Sequence, residues 1–286
     1  MVRRPAPVAA LPPLDPDHQP SNNHYWRYHG LDALLACKRP VTASLDEDLF
    51  IAVHQVCELS FHQIILDLER ALEAFTEALG DPEDGVIDDT DEALYFLRRA
   101  VAMWRVVNQA LPALGSLRAF GEFRSSLGPS SGFQSYQFRR VELLAGVRGA
   151  YWQGGTRDEA GALHPAEIEF ERLFGVQVSE WVERYREHNL RARYESLLAR
   201  APLLSLREHP RAEPLLRALR DYDREQSRFH RAHLGVAVEQ LARVGVHVGT
   251  GGTSFRDYLA RYESEQAPLF AGLEEALPDA SRRADD

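Results

Sequence analysis

From Ser44 to Phe75 the apolar residues fall at helical spacing: Leu49, Phe50, Val53, Cys57, Phe61, Ile64, Ile65, Leu68, Leu72 and Phe75 recur every three or four positions. The spacing predicts one long amphipathic helix over 44–75. Ser44 followed three residues later by Glu47 reads as a capping box at its start. One polar ring interrupts the apolar stripe. His54 stands one turn after Phe50 and one turn before Glu58, so i, i+4 geometry stacks the three along one line. A desolvated imidazole needs a partner. Taken alone, His54 is either a core histidine hydrogen-bonded to a neighbour or a ring placed for chemistry.

The same period continues along the chain. Helices are predicted at about 28–35, at 90–110 (with Pro112 as its stop), and more briefly at 114–123 and 133–144. Further helices are predicted at 165–173, opening on Pro165, at 177–199, at 212–243 and at 253–275. An acidic loop covers 81–89, and a Gly-rich loop covers 146–161. Pro5, Pro7, Pro12, Pro13, Pro16 and Pro20 make residues 1–21 an extended or disordered arm. Strand-like alternation is scarce, and no repeat divides the chain. The expectation is an all-α fold, with residues 22–286 forming a single domain.

Composition narrows the classes. The 286 residues are 44% hydrophobic, enough for a sizeable core. Forty-three acidic against 33 basic residues give a formal charge of -10, which argues against a sequence-independent nucleic-acid partner. The two cysteines, Cys37 and Cys57, lack metal or disulfide-framework spacing. No apolar run is expected to approach the roughly 20 residues that span a bilayer, and the N-terminus lacks a signal-type apolar region. A cytoplasmic protein without membrane contact is the expectation.

Four segments could carry chemistry. The His54 stripe is one. Arg124, seven residues before Ser131 and just ahead of a Ser-Ser-Gly turn, could clamp a carboxylate or could be a solvated cation. His230 and His233 lie on a predicted helix and could be metal ligands or surface residues. The Gly249-Thr-Gly-Gly252 loop lacks the Lys-Ser/Thr of a phosphate-binding loop, and its other use is close backbone approach to a ligand. His54, Glu58 and His62 occupy successive turns, but the paired Glu-x-x-His of di-iron bundles and the His-Glu-x-x-His of zinc hydrolases are both absent. No Gly-x-Ser-x-Gly occurs. What remains fits a planar cofactor sandwiched between helices.

Four blocks together resemble tryptophan 2,3-dioxygenase and its haem-dependent aromatic oxygenase relatives, in that family's order. They are Tyr25-Trp-Arg-Tyr-His-Gly-Leu-Asp-Ala-Leu-Leu35, the run from Asp46 to Ile65, Phe123-Arg124 through Pro129-Ser-Ser-Gly-Phe-Gln-Ser-Tyr-Gln-Phe-Arg139, and Gly249-Thr-Gly-Gly-Thr253 with Tyr258-Leu259. The resemblance implies a helical-bundle subunit with haem b between helices, dioxygen as co-substrate, an indole amino acid as substrate and a homo-oligomer, tetramer or dimer.

Residue by residue, it implies Phe50 and His54 in the distal pocket, with Arg124 pairing the substrate carboxylate and Ser131 in the turn beside it. Thr250 would contact the amino-acid head group, and Phe120 would line the substrate pocket. Gly132, Gly249, Gly251 and Gly252 fall at cofactor-binding positions. Tyr25 and Tyr28 match aromatics lent to the pocket by a neighbouring subunit. The family's proximal ligand stands in a Trp-Arg-x-x-His pattern, which Phe229-His-Arg-Ala-His233 matches with Phe for Trp; His233 is the expected iron ligand and His230 the alternative.

Leu59-Ser-Phe-His62 where the family has Leu-Trp-Phe-Lys, and Thr253-Ser-Phe255 where it has Ser-Ser-Gly, are departures around the pocket. They make a substituted tryptophan a plausible substrate. The implied reaction is dioxygen insertion into the indole C2–C3 bond, giving an N-formylkynurenine-type product. Its rivals are monooxygenation of a (methyl)tryptophan to a 2-oxindole, and a non-catalytic haem sensor or scaffold.

Overall fold

The apolar stripe of the long helix finds its partners in two others. In a computed structural model, which describes residues 24–83, 85–127, 135–147, 165–245 and 268–277, the helices in chain order are α1 (His24–Tyr28), α2 (Leu31–Ala36), α3 (Asp46–Ala78), α4 (Asp91–Ala110), α5 (Phe120–Phe123), α6 (Tyr136–Ala145), α7 (Pro165–Tyr185), α8 (Leu190–Leu198), α9 (Leu203–Leu206), α10 (Ala212–Arg243) and α11 (Leu273–Ala276). Tight 3₁₀ turns at Leu111–Ser116 and Arg124–Leu127 link α4 to α5 and follow α5. No strand occurs among the described residues, and the all-α expectation holds.

α3 packs along α4 and against α6, while α4 packs on its other side against α10. Val53, Cys57, Phe61, Ile64, Leu68, Leu72 and Phe75 supply the buried face of α3. At the centre, Phe61 of α3, Trp104 of α4, Phe138 of α6 and Phe229 of α10 each contact the other three, with ring centroids between 5.3 and 6.5 Å apart. Each such pair contributes about 0.5–1.5 kcal/mol beyond area burial. These rings lock four helices in register.

Several boundaries differ from the sequence expectation. α3 opens at Asp46 and Ser44 makes no side-chain cap; Glu47 instead reaches back to the backbone N–H groups of Val41 and Thr42, each at 2.8 Å. The capping box is replaced by a carboxylate that ties down the preceding loop. Pro112 does not end the helical path but sits in the first turn of the 3₁₀ segment, where its missing N–H has no bond to lose. The two predicted helices 165–173 and 177–199 are cut elsewhere: α7 runs unbroken to Tyr185, and the break comes at Asn189, whose side chain caps α8 by accepting from Ala192 N at 2.8 Å. Most of the predicted 253–275 helix lies outside the described residues, as do the arm at 1–21 and the loop at 148–161.

Membrane reading needs correction too. α3 is long and apolar enough by composition to cross a bilayer, with an 18-residue window of mean hydropathy 1.4. His54, Glu58 and His62 break the apolar runs, but the Ile, Leu, Val and Phe between them keep the window average high. Thirteen of its 33 residues are buried against protein.

Candidate active site

Two helices bring the candidate rings together. His54 projects from the first half of α3, where the turn-on-turn spacing seen in the sequence puts it against Phe50, the ring centroids 4.1 Å apart. Its Nδ1 lies 2.7 Å from the Phe50 carbonyl oxygen. A carbonyl can only accept, so Nδ1 carries the proton and Nε2 is left as an acceptor. Desolvation lowers the pKa of His54, opposed in part by that carbonyl and by Glu58, so the ring is neutral near pH 7.

His233 projects from α10. Desolvation, followed by the charges of His54, His230 and Arg139, holds its pKa at about 4. His230 is pushed down to about 3 by desolvation, followed by the charges of Arg139 and Arg231. His54 of α3 lies within electrostatic range of His233. The His233 ring stacks on Phe229, centroids 5.7 Å apart and planes within 12°. One edge of the central aromatic cluster thus forms the floor beneath His233.

The other wall comes from α5. Phe50 meets Phe123 at 5.3 Å and Phe120 at 6.1 Å, which sets Phe120 beside the His54 stripe and Arg124 directly after it. What holds this short helix is Asp46, whose Oδ2 accepts from Arg118 N and Ala119 N, both at 2.6 Å. The carboxylate sits at the N-terminal end of α5, where backbone N–H groups are otherwise unpaired. From the opposite side, Gln240 donates to the Leu114 carbonyl at 2.8 Å and Arg243 to the Leu117 carbonyl at 2.8 Å, pinning the end of α10 to the chain that leads into α5. A Cβ placed on Gly121 would lie 3.0 Å from Val244, so the two segments touch at the point where the chain heads for the Gly-Thr loop. Asp46, Gln240 and Arg243 were not singled out from the sequence. Nothing in their local pattern marks them, because their partners are distant backbone groups.

Of the sequence-predicted residues, Phe50, His54, Phe120, Arg124 and His233 are placed around one region. Tyr25 and Tyr28 lie on α1 and are 65% and 79% exposed, away from any described core. Ser131, Gly132, Gly249, Thr250, Gly251 and Gly252 lie outside the described residues. Cys37 and Cys57 are both unbridged. Two surface hollows, one of about 480 Å³ along α4 beside Tyr95 and Arg99 and one of about 300 Å³ lined by Cys37, Glu58, His62 and Gln137, are lined by neither His54 nor His233.

A haem can be tested against these donors. His54 and His233 both keep partial solvent contact yet are surrounded densely enough to be desolvated, which is the environment of a cleft between helices. Both are neutral, and a neutral imidazole nitrogen is the lone-pair donor that haem iron takes. Among the described residues no three His, Cys, Asp or Glu side chains converge on one point. A metal delivered inside a macrocycle needs only one of these imidazoles. The donor set fits the group.

A family profile described as tryptophan 2,3-dioxygenase matches residues 15–160. The tryptophan 2,3-dioxygenase of Nocardioides sp. is 31% identical over 253 residues, covering 81% of this chain and 85% of the relative. That of Anaeromyxobacter dehalogenans is 37% identical over 134 residues, 47% of this chain and 48% of the relative, and that of Bdellovibrio bacteriovorus 35% identical over 133 residues, 44% and 35%. Against these last two the chain spans about half or less of the relative's length.

Proposed function

The chain belongs to the tryptophan 2,3-dioxygenase family, and on that premise we propose that it is a haem-dependent dioxygenase that cleaves the indole C2–C3 bond of L-tryptophan or a substituted tryptophan, giving an N-formylkynurenine-type product. The observation that carries this reading is a desolvated, neutral His233 on α10 within electrostatic range of the likewise desolvated His54 on α3. Residues 22–286 act as one unit in it, with 1–21 as an arm.

His233 would hold the haem iron through its neutral ring. When bound, the haem supplies the dioxygen chemistry that amino-acid side chains lack. Everything else is positioning. Arg124, placed by α5, offers a planar fork to the substrate carboxylate, and Thr250 and Ser131 complete the grip on the head group. His54 Nε2, left as acceptor by the bond from Nδ1 to the Phe50 carbonyl, receives the indole N–H and orients the ring without having to abstract its proton. Phe50 and Phe120 exclude water on that side, which strengthens each polar contact made within the site. Gly132, Gly249, Gly251 and Gly252 permit close approach of backbone to the bound groups.

Exposed Tyr25 and Tyr28 support a homo-oligomer in which α1 of one subunit covers the pocket of another. The acidic chain with two unbridged cysteines supports a cytoplasmic location. The formal charge of -10 speaks against a sequence-independent nucleic-acid partner.

The test is the absorption spectrum of the haem-loaded protein with and without L-tryptophan, followed by product mass under ¹⁸O₂. Cleavage adds two labelled atoms. A 2-oxindole carrying one labelled atom would replace the dioxygenase reading with monooxygenation. Failure of tryptophan and methyltryptophan alike to perturb the haem spectrum would point to a sensor or scaffold.

A further inference from the structure

Behind the α10 histidines lies a charge pair that the proposed chemistry does not use. Arg139 and Glu142 of α6 form an ion pair of 2.9 Å, and their side chains are only 4% and 2% exposed. The Arg139 guanidinium sits over the Phe138 ring, 5.3 Å from its centroid. Phe138 in turn meets His230 edge-on at 5.5 Å and Phe229 at 5.3 Å, and Phe229 carries the His233 ring stacked upon it. The cation of the pair therefore points along a path of contacting rings to the back of His233. Arg139 is among the charges acting on both His230 and His233. The pair thus presents its cation to Phe138, the ring that meets His230.

Packing does not explain it. Desolvating two charges is so unfavourable that a buried pair is commonly no more stable than apolar side chains of the same volume. Glu142 also lies close enough to the fully buried Tyr222 for its charge to disfavour ionisation of that phenol, and no described residue accepts a hydrogen bond from the Tyr222 hydroxyl. Arg139, Glu142 and Tyr222 thus put polar groups inside the buried core. A fixed charge in low-dielectric surroundings acts over several ångströms.

We infer that Arg139 and Glu142 are positioning residues for the iron ligand, the Arg139 cation favouring the ferrous over the ferric state of a haem held by His233. The inference rests on the reading of His233 as that ligand. The physical reason is simple: ferric haem carries one more positive charge than ferrous haem, so a nearby cation disfavours it, and neutralising or exposing that cation shifts the equilibrium. Dioxygen chemistry of the proposed kind needs the reduced iron.

The test uses haem-loaded full chain and a spectroelectrochemical titration of the ferric/ferrous couple. In R139Q/E142Q both charges vanish, and the ferrous fraction at fixed solution potential should fall about tenfold relative to ferric, which is about 59 mV for a one-electron couple. In E142Q the cation loses its counter-charge, and the shift should have the opposite sign. R139K keeps the charge and should stay near the parent. Opposite signs are not expected from structural loosening, which would move both variants alike, and either of the first two variants decides the question if the other does not fold. A change of less than twofold in the variants that fold, or shifts of the same sign, overturns the inference. Parent protein that takes up no haem, or that keeps its imidazole-ligated spectrum when His233 is replaced, overturns instead the reading on which it rests.

Discussion

His233 of α10 lies within electrostatic reach of His54 of α3, and burial holds the His233 ring neutral. Two residues from opposite ends of the chain thus share one cleft. Loss of iron ligation is accordingly the expected result of His233→Ala: the haem Soret band should be weak after reconstitution and recover with added imidazole. His230→Ala should retain the band. The reverse pattern would move the ligand to His230.

Arg124 follows α5, next to the aromatic wall built by Phe50, Phe120 and Phe123. Hydrogen bonds to a charged group contribute about 1.5–3 kcal/mol, so Arg124→Ala should raise KM roughly ten- to a hundredfold. Steady-state kinetics with L-tryptophan measure this. Unchanged saturation behaviour would remove Arg124 from the site.

Asp46 acts one step further away. Its carboxylate holds the backbone leading into α5, and so sets where Phe120 and Arg124 stand. Asp46→Ala should raise KM several-fold, with haem content unchanged, because the loosened segment presents the anchor in more than one position. Equal kinetic constants for Asp46→Ala and the parent would show that α5 is held by its aromatic contacts alone.

Gly146 ends α6 in the left-handed region at φ 89°, and a Cβ there would come within 2.4 Å of Asn189 Oδ1, the atom that caps α8. The backbone term alone is roughly 1–2 kcal/mol. Gly146→Ala should therefore destabilise the protein by more than about 2 kcal/mol in urea unfolding, through strain and displacement of the cap together. A loss below 1 kcal/mol, counted roughly on the same scale, would mean that α6 and α8 shift apart freely.

Asp223 accepts from Leu269 N at 3.0 Å, yet desolvation outweighs this bond and raises its pKa from 3.8 to about 6. The folded state therefore binds more protons than the unfolded state between those two values. By linkage, this group's contribution to stability falls as pH rises from about 4 through 6. Asp223→Asn lacks the effect, so the parent should lose stability relative to the variant between pH 4.5 and 7.5 in paired urea titrations. A pH-independent difference between the two proteins would refute it.

What could be read from the chain follows from periodicity and short spacing. The α3 stripe, the Phe50–His54 stacking and the extent of α10 at 212–243 depend on residues within a few turns of one another, which helical geometry relates directly. The breaks at Tyr185 and Asn189 and the form of the α3 cap were misread because side chains with several possible partners decide them. Ser44 and Glu47 satisfy a capping pattern on paper, but the loop at Val41 and Thr42 offered Glu47 two unpaired N–H groups.

The sequence by itself determined that this is a helical chain with an imidazole on a core-facing stripe, and its motifs determined the family. Only the tertiary structure decided that His233 comes within electrostatic range of His54, that Asp46 fixes the helix ahead of Arg124, and that the Arg139–Glu142 pair is buried beside Phe138. The physical reason is range. Helical period acts over a few residues, whereas burial and Coulomb interactions depend on which distant segments packing brings within a few ångströms.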